Sequence, residues 1–262
     1  MKGTGVGYDV IVADGGSDGC VAAARLSADD RCRVLLLEAG PDYPAADDLP
    51  ADVADGSMPT TSHDWGFTAE PDERGRSVPL PRGRLMGGCS ATNACFALRG
   101  WPQDYDQWAA MGNPGWSFAD LLPVFRAIES DADFDGDWHG ADGPVPICRP
   151  SAGELSPLQR AFADAAVAAG HRLVGDHNEP GTVGAGPVPR NVRDGIRMST
   201  ALTHLVATRG RANLTIRADA AVDRVELRGT TARGIRLAGG EIIEADAIVV
   251  TRSASLRRRA VR

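Results

Sequence analysis

The sequence predicts an α/β fold of doubly wound type, with a small antiparallel β-meander and part of a second domain appended. Three observations carry this. Residues 8–40 read as strand, glycine-rich turn, helix, strand and acidic residue. A second glycine pair, Gly87-Gly88, precedes another helix-like start. Four β-patterned runs between residues 214 and 250 are punctuated by Gly229 and Gly239-Gly240.

The first stretch reads Y-D-V-I-V-A-D-G-G-S-D-G-C-V-A-A-A-R-L-S, and V-L-L-L-E-A-G follows. Residues 10–13 form a short apolar run rich in β-branched side chains, as a buried strand needs. Gly15, Gly16 and Gly19 form the turn, residues 20–26 have helix-forming composition, and residues 34–37 make a second buried strand. In a dinucleotide-binding unit the backbone N–H groups at such a helix start face a pyrophosphate, and the acidic residue ending the second strand accepts hydrogen bonds from the adenosine ribose. A βαβ unit that packs and binds nothing is the plainer reading. Glu38, about 20 residues past the turn, favours nucleotide binding over it. In the G-x-G-x-x-G register Asp14 holds the first glycine position, which puts a Cβ and a carboxylate where the chain turns toward the phosphates. Asp18 adds a second carboxylate, one that complements a helix N-terminus.

The bulk numbers narrow the class. At 262 residues the chain can bury a substantial core. A net charge of −7 argues against nucleic acid as a partner. No apolar run approaches the roughly 20 residues of a membrane span. Residues 1–7 carry no apolar signal segment, so a cytoplasmic location is the default expectation. The cysteines are Cys20, Cys32, Cys89, Cys95 and Cys148, an odd number without a C-x-x-C pair. That reads as free thiols rather than a disulfide framework or a zinc site.

Between these landmarks the chain alternates loops and short elements. Residues 41–59 are polar and rich in Pro and Asp, with one short helix at 51–54. Asp64-Trp65-Gly66-Phe67 reads as an extended piece. A helix is expected over 91–96 and another over 104–111, with Trp108 on its inner face. Ser117 caps a helix over 118–129, and an Ala-rich amphipathic helix over 155–169 is closed by Gly170. A short helix follows at 199–206. The β-patterned runs are 214–218, 221–227, 232–237 and 241–250. From Thr251 the chain reads T-R-S-A-S-L-R-R-R-A-V-R, where five arginines replace the apolar pattern. This is either a solvated end or not the natural continuation of the domain.

Residues 81–93 read P-R-G-R-L-M-G-G-C-S-A-T-N. Gly87-Gly88 offers a second set of bare N–H groups for phosphate, and two glycine turns aimed at one ligand suit a long dinucleotide such as FAD. Here the sequence resembles the glucose–methanol–choline (GMC) oxidoreductases, which are FAD-dependent. The resemblance covers residues 8–250. Besides the two glycine motifs it rests on D-W-G-F, D-Y-D-Q-W, G-N-P-G-W-S, H-G-A-D-G-P and R-A-N-L-T-I, in order along the chain.

The resemblance implies a role for each matching position. Gly15, Gly16 and Ser17 lie by the FAD pyrophosphate. Glu38 binds the adenosine ribose, with Ala39 beside it. Trp65 lies near the cofactor. Gly83, Gly87 and Gly88 belong to the signature near the diphosphate and flavin, and Asn93, Ala94 and Phe96 run under the flavin. Val222 matches a position whose backbone contacts adenine. Some relatives carry a flavin-linking histidine at the Thr92 position. Threonine cannot make that bond, so the FAD is expected to be non-covalent. Met86 and Thr92 replace commoner aliphatic residues of the signature.

The implied domains are 1–150, the first part of an FAD-binding domain; 151–206, a partial substrate-domain or lid segment; 207–250, a meander and a return strand; and 251–262, an aberrant basic tail. The family oxidises CH–OH groups of small alcohol substrates, with a histidine as base and the flavin as hydride acceptor. Its catalytic histidine belongs to a C-terminal half that finds no match here, so a truncated enzyme with no catalytic residue of its own is expected. A non-catalytic nucleotide-binding module and one half of a split enzyme, completed by a complementary C-terminal polypeptide, are the alternatives. None of His63, His139, His171, His177 or His204 matches the catalytic position. His139 reads as a structural hydrogen-bonding group in its H-G-A-D-G-P loop. No His/Cys/carboxylate spacing suggests a metal.

Overall fold

The computed structural model describes residues 7–251, and the arginine-rich stretch 252–262 lies outside the described residues. In chain order the elements begin with β1 (Tyr8–Ala13), α1 (Ser17–Leu26), β2 (Val34–Leu37), α2 (Ala51–Ala54), α3 (Pro102–Ala110), α4 (Phe118–Ile128), β3 (Glu129–Asp131), β4 (Val145–Ile147) and α5 (Pro157–Ala168). They continue with β5 (Val192–Arg193), β6 (Ile196–Arg197), a wide-turned helix at Ala201–Leu205, β7 (Leu214–Arg217), β8 (Val222–Arg228), β9 (Thr231–Leu237) and β10 (Ile242–Val250). Two compact units result. Residues through Asn93 together with those from Met198 onward form one, and Ala94–Arg197 form the other.

The first unit is organised by a six-stranded sheet in the order β7-β2-β1-β10-β9-β8. The four strands β7, β2, β1 and β10 run parallel, and β8 and β9 add antiparallel. β10 serves both halves: Ile242–Glu244 pair with β9, and Ala245–Val250 pair with β1. Because successive strand residues point to opposite faces, the uniformly apolar β1 and β2 supply two cores. Val12, Val34 and Leu36 pack with Cys20 and Ala23 of α1 and with Met86, Ala201, Leu205 and Leu214. Ile11, Leu35 and Leu37 pack on the other face with Ala220, Ile235, Leu237 and Ala245.

Three expectations are corrected. The helix over 91–96 does not form. A 3₁₀ turn spans Gly88–Ala91, and Cys95 then adopts a φ of 62°, outside any right-handed helix. The run at 214–217 is no part of the meander. It pairs parallel to β2, where Leu214 and Ile216 complete the apolar face over α1. Trp108 is not inward. It is 46% exposed and meets Tyr105 and Trp116 edge-on.

In the second unit β3 pairs parallel with β4, and β5 pairs antiparallel with β6. Ser117 caps α4 by accepting from the Asp120 N–H, and Ser156 caps α5 by accepting from the Gln159 N–H. Among the described residues no helix is long and apolar enough to cross a membrane.

Candidate functional site

The glycine-rich turn between β1 and α1 is built from backbone contacts that leave no room for side chains. A Cβ on Gly19 would stand 1.9 Å from the Asp14 carbonyl oxygen, so only glycine lets α1 approach the strand end here. A Cβ on Gly15 would meet the Met86 sulfur at 2.6 Å. At Gly16 the nearest atom would be an Asp14 carboxyl oxygen, 3.6 Å away. That face of the turn is open, and no side chain caps the start of α1. The N–H groups and the positive end of the helix therefore face a cleft.

The second glycine cluster docks on the first. Gly87 donates its N–H to the Gly15 carbonyl at 2.7 Å. Ser17 Oγ donates to the Gly87 carbonyl at 3.4 Å and accepts from the Ser90 N–H at 3.2 Å. Gly87 and Gly88 take φ values of 93° and 51°, and a Cβ on Gly88 would lie 2.7 Å from the Gly16 Cα. Gly83 is tight for a related reason, since a Cβ there would lie 2.4 Å from the Gly88 carbonyl oxygen. Two turns 70 residues apart thus form one glycine cradle.

A cleft of about 310 Å³ opens above the cradle, lined among others by Asp14, Gly16, Ser17, Trp65, Gly83 and Gly88. A narrow groove lies next to it, over Ala13, Asp14, Leu37, Ala39, Trp65, Ala220 and Val222. Asp14 and Trp65 belong to both. Trp65 is held by its N–H to the Arg82 carbonyl at 2.9 Å, by stacking on Phe67 and by the Arg84 guanidinium 5.1 Å from its ring centre.

Glu38 closes β2 beneath the turn and is 1% exposed. One carboxyl oxygen accepts from the Gly15 N–H at 3.0 Å and the other from the Gly40 N–H at 2.9 Å. Burial pushes this carboxyl up to about 8, and the hydrogen bond and charge of Asp14 push the same way. Asp14 itself has a φ of 100°, a conformation that glycine adopts freely and aspartate rarely does. Cys20, under the turn, donates to the Gly15 carbonyl at 3.1 Å, and burial pushes its thiol up to about 12, which makes it inert.

The structure therefore gathers Gly15, Gly16, Ser17, Glu38, Ala39, Trp65, Gly83, Gly87, Gly88 and Val222 around one cleft and groove. Asn93 is exposed at the end of the first unit. Ala94 and Phe96 belong to the second unit, where Phe96 is 62% exposed and bridges to Arg190. Sequence reasoning passed over Phe67, Arg82 and Thr251 as cleft-lining residues. The D-W-G-F and P-R-G-R motifs were the available signal for the first two.

The residues fit a dinucleotide with a diphosphate. Bare N–H groups at a helix start, a cradle that any Cβ at Gly88 would break, and an aromatic wall converge on one cleft. The Asp14 and Asp18 carboxyls, which line the same cleft, oppose an anion there.

The sequence profile of the GMC oxidoreductases matches residues 8–256. The chain belongs to this family. This GMC chain is 36% identical over 249 residues to an uncharacterized GMC-type oxidoreductase of Rhodococcus erythropolis, which covers 92% of the chain and 50% of that protein. It is 37% identical over 239 residues to an oxygen-dependent choline dehydrogenase of Photobacterium profundum, covering 90% of the chain and 42% of that enzyme. Its fold is similar to that of pyridoxine 4-oxidase from Mesorbium loti, with a TM-score of 0.84 and 37% identity over 93% of this chain and 49% of that one. An FAD-dependent oxidoreductase from Chaetomium thermophilum matches with a TM-score of 0.80 and 28% identity, over 93% of this chain and 45% of that one. The chain spans about half the length of the curated relatives it matches.

The second unit holds a buried ionic cluster that sequence reasoning missed. His139 has Glu129 and Asp131 carboxyl oxygens 3.2 and 3.1 Å from Nδ1, and an Asp176 oxygen 2.9 Å from Nε2. Arg99 donates to Glu129 at 2.7 Å, and Arg149 bridges Asp131 and Asp176 at 2.8 and 2.9 Å. Glu129, Asp131 and His139 bring possible metal-ligand atoms within 4.8 Å of one another. The two guanidinium groups already neutralise those oxygens, so the cluster works as an ion-pair network that ties β3 and the loop after it to segments 149 and 176. His139 is a structural group, in the role its loop motif implies.

Proposed function

We propose that this chain binds FAD, non-covalently, as the cofactor-holding half of a flavin-dependent oxidoreductase that acts on small alcohols. The observation that carries the reading is the docking of the two glycine turns, with the Gly87 N–H 2.7 Å from the Gly15 carbonyl oxygen. A nicotinamide βαβ unit needs only the first turn. The choline dehydrogenase and pyridoxine oxidase relatives are named for substrates that carry hydroxyl groups, which supports an alcohol as donor.

The N–H groups of the first turn of α1, with Gly87 and Gly88, would hold the diphosphate. Glu38 would accept from the adenosine ribose, while Ala39, Val222 and Trp65 would bound the adenine end. Asn93 is proposed to face the flavin, and the family resemblance gives Ala94 and Phe96 the same role. Thr92 carries no group able to bond covalently to the flavin. Bound FAD supplies an acceptor for hydride from the substrate carbon. No histidine lines the cleft or the groove among the described residues. We therefore assign the base that takes the hydroxyl proton to the part of the relatives' length that this chain does not span. A complementary polypeptide is one source of it.

The test is the identity of the chromophore. The purified chain, reconstituted with FAD, is expected to be yellow and to release intact FAD on acid precipitation. Tight binding of NADH with no binding of FAD or FMN overturns the reading.

A further inference from the structure

Resting on the FAD reading above, we infer that Arg82 is a cofactor-binding residue: its guanidinium pairs with the diphosphate and offsets the carboxyl groups that Asp14 and Asp18 bring into the same cleft. These three are the charged residues that line the cleft, and the groove beside it adds no cation. Among the described residues Arg82 is therefore the sole cation at either cavity.

Magnitudes say that the glycine cradle does not suffice for a diphosphate here. A helix start offers about half an elementary charge. Asp18 lies in the first turn of α1 and draws on that half charge itself, and Asp14 adds a second carboxyl at the turn. The neutral N–H groups can accept the shape of a diphosphate, but its charge meets two carboxyl groups. A full positive charge on the cleft wall restores the balance, and a guanidinium fork matches phosphate oxygens.

Arg82 is placed and free to do this. Trp65, Phe67 and Arg82 reach the cleft from one antiparallel ribbon, whose arms bridge at Asp64–Gly83 and Thr68–Pro79. The Arg82 backbone is pinned on both sides: its N–H donates to Asp64 Oδ1 at 2.6 Å, and its carbonyl accepts from the Trp65 N–H at 2.9 Å. The exposed side chain donates to the Pro81 carbonyl at 2.7 Å, and among the described residues it pairs with no carboxylate. Most of its N–H fork is thus open to a ligand. The neighbouring guanidinium groups are committed. Arg84 lies over the Trp65 ring and donates to the Ala39 carbonyl, and Arg217, whose carbonyl accepts from the Glu38 N–H, pairs with Glu241.

The experiment compares the parent with Arg82→Gln and Arg82→Lys by calorimetric titration with FAD, ADP and adenosine, the last of which carries no phosphate. Both substitutions leave the main-chain bonds of residue 82 in place. Arg82→Gln is expected to bind FAD and ADP at least about tenfold more weakly, the scale of a lost charge-assisted hydrogen bond, and to bind adenosine as the parent does. Arg82→Lys keeps the charge without the fork and is expected to recover part of the loss. Each protein is also titrated with FAD from about 0.01 M to about 1 M NaCl, which shortens the screening length about tenfold. Added salt is expected to weaken binding to the parent and to leave Arg82→Gln unchanged or tighter, because there the carboxyl repulsion is what remains to be screened. Equal FAD and ADP affinities in the parent and Arg82→Gln, or the same salt dependence in both, overturn this inference alone. An equal loss for adenosine would make Arg82 a structural residue and overturn it too. A parent that binds neither FAD nor ADP overturns the FAD reading along with it.

Discussion

Asp14 places two stresses on one residue. Its φ of 100° lies where a side chain is strained, and its carboxyl faces the open side of the turn. Asp14→Gly removes both while leaving the backbone bonds in place, the N–H to Leu37 and the carbonyl to Thr251. One partly screened like-charge repulsion amounts to about 1–2 kcal/mol, so FAD binding is expected to tighten by that amount at neutral pH. Fluorescence titration of both proteins measures it. Equal or weaker binding in the variant would mean that the aspartate contributes favourably to the ligand.

The element that holds the site is the pair of glycine turns rather than either one. Gly88 has a φ of 51°, and a Cβ there would lie 2.7 Å from the Gly16 Cα of the first turn. Gly88→Ala would force the two turns apart, because the colliding atoms are backbone on both sides. FAD affinity is expected to fall by at least about tenfold, which needs only about 1.4 kcal/mol, while far-UV circular dichroism stays that of the parent. An unchanged affinity would mean that the second turn does not contact the diphosphate. Helix ends need no such tertiary partner. Ser117 and Ser156 cap α4 and α5 from within their own segments, as their sequence positions require.

At the scale of the molecule, each unit has its own organising principle. The first is held by apolar strands buried on both faces, and the second depends on the Arg99–Glu129–His139–Asp131–Arg149–Asp176 network. Arg149→Ala leaves Asp131 and Asp176 buried without their shared cation, which typically destabilises by about 3–5 kcal/mol. Four of the five tryptophans, Trp101, Trp108, Trp116 and Trp138, lie in that unit, so its unfolding dominates the tryptophan signal in urea. An Arg149→Ala midpoint equal to that of the parent would refute a stabilising network. Function is also decided at this scale. With no histidine among the described residues lining the cleft or the groove, the FAD-loaded chain is expected to show no flavin bleaching under anaerobic conditions with primary or secondary alcohols, choline or sugars. Bleaching at about 1 s⁻¹ or faster, the low end of typical turnover, would show that a residue of this chain serves as the base.

By itself, the sequence determined the features that depend on local chemistry. The βαβ unit is legible because apolar β-branched runs, adjacent glycines and a terminal Glu38 declare themselves within 33 residues. The cap at Ser117 and the β8–β9–β10 meander are legible for the same reason: period, turn residues and capping side chains are properties of short segments. Only the tertiary structure decided the rest. It set β7 parallel to β2, replaced the expected helix at 91–96 with a 3₁₀ turn that ends at Ala91, and joined Gly87 to Gly15. It also assembled the His139 cluster from positions 99, 129, 131, 149 and 176, and set the buried Glu38 carboxyl against the Gly15 and Gly40 N–H groups. Each of these rests on contacts between residues far apart in the chain, where burial and charge act together. No local pattern encodes what a buried group will meet.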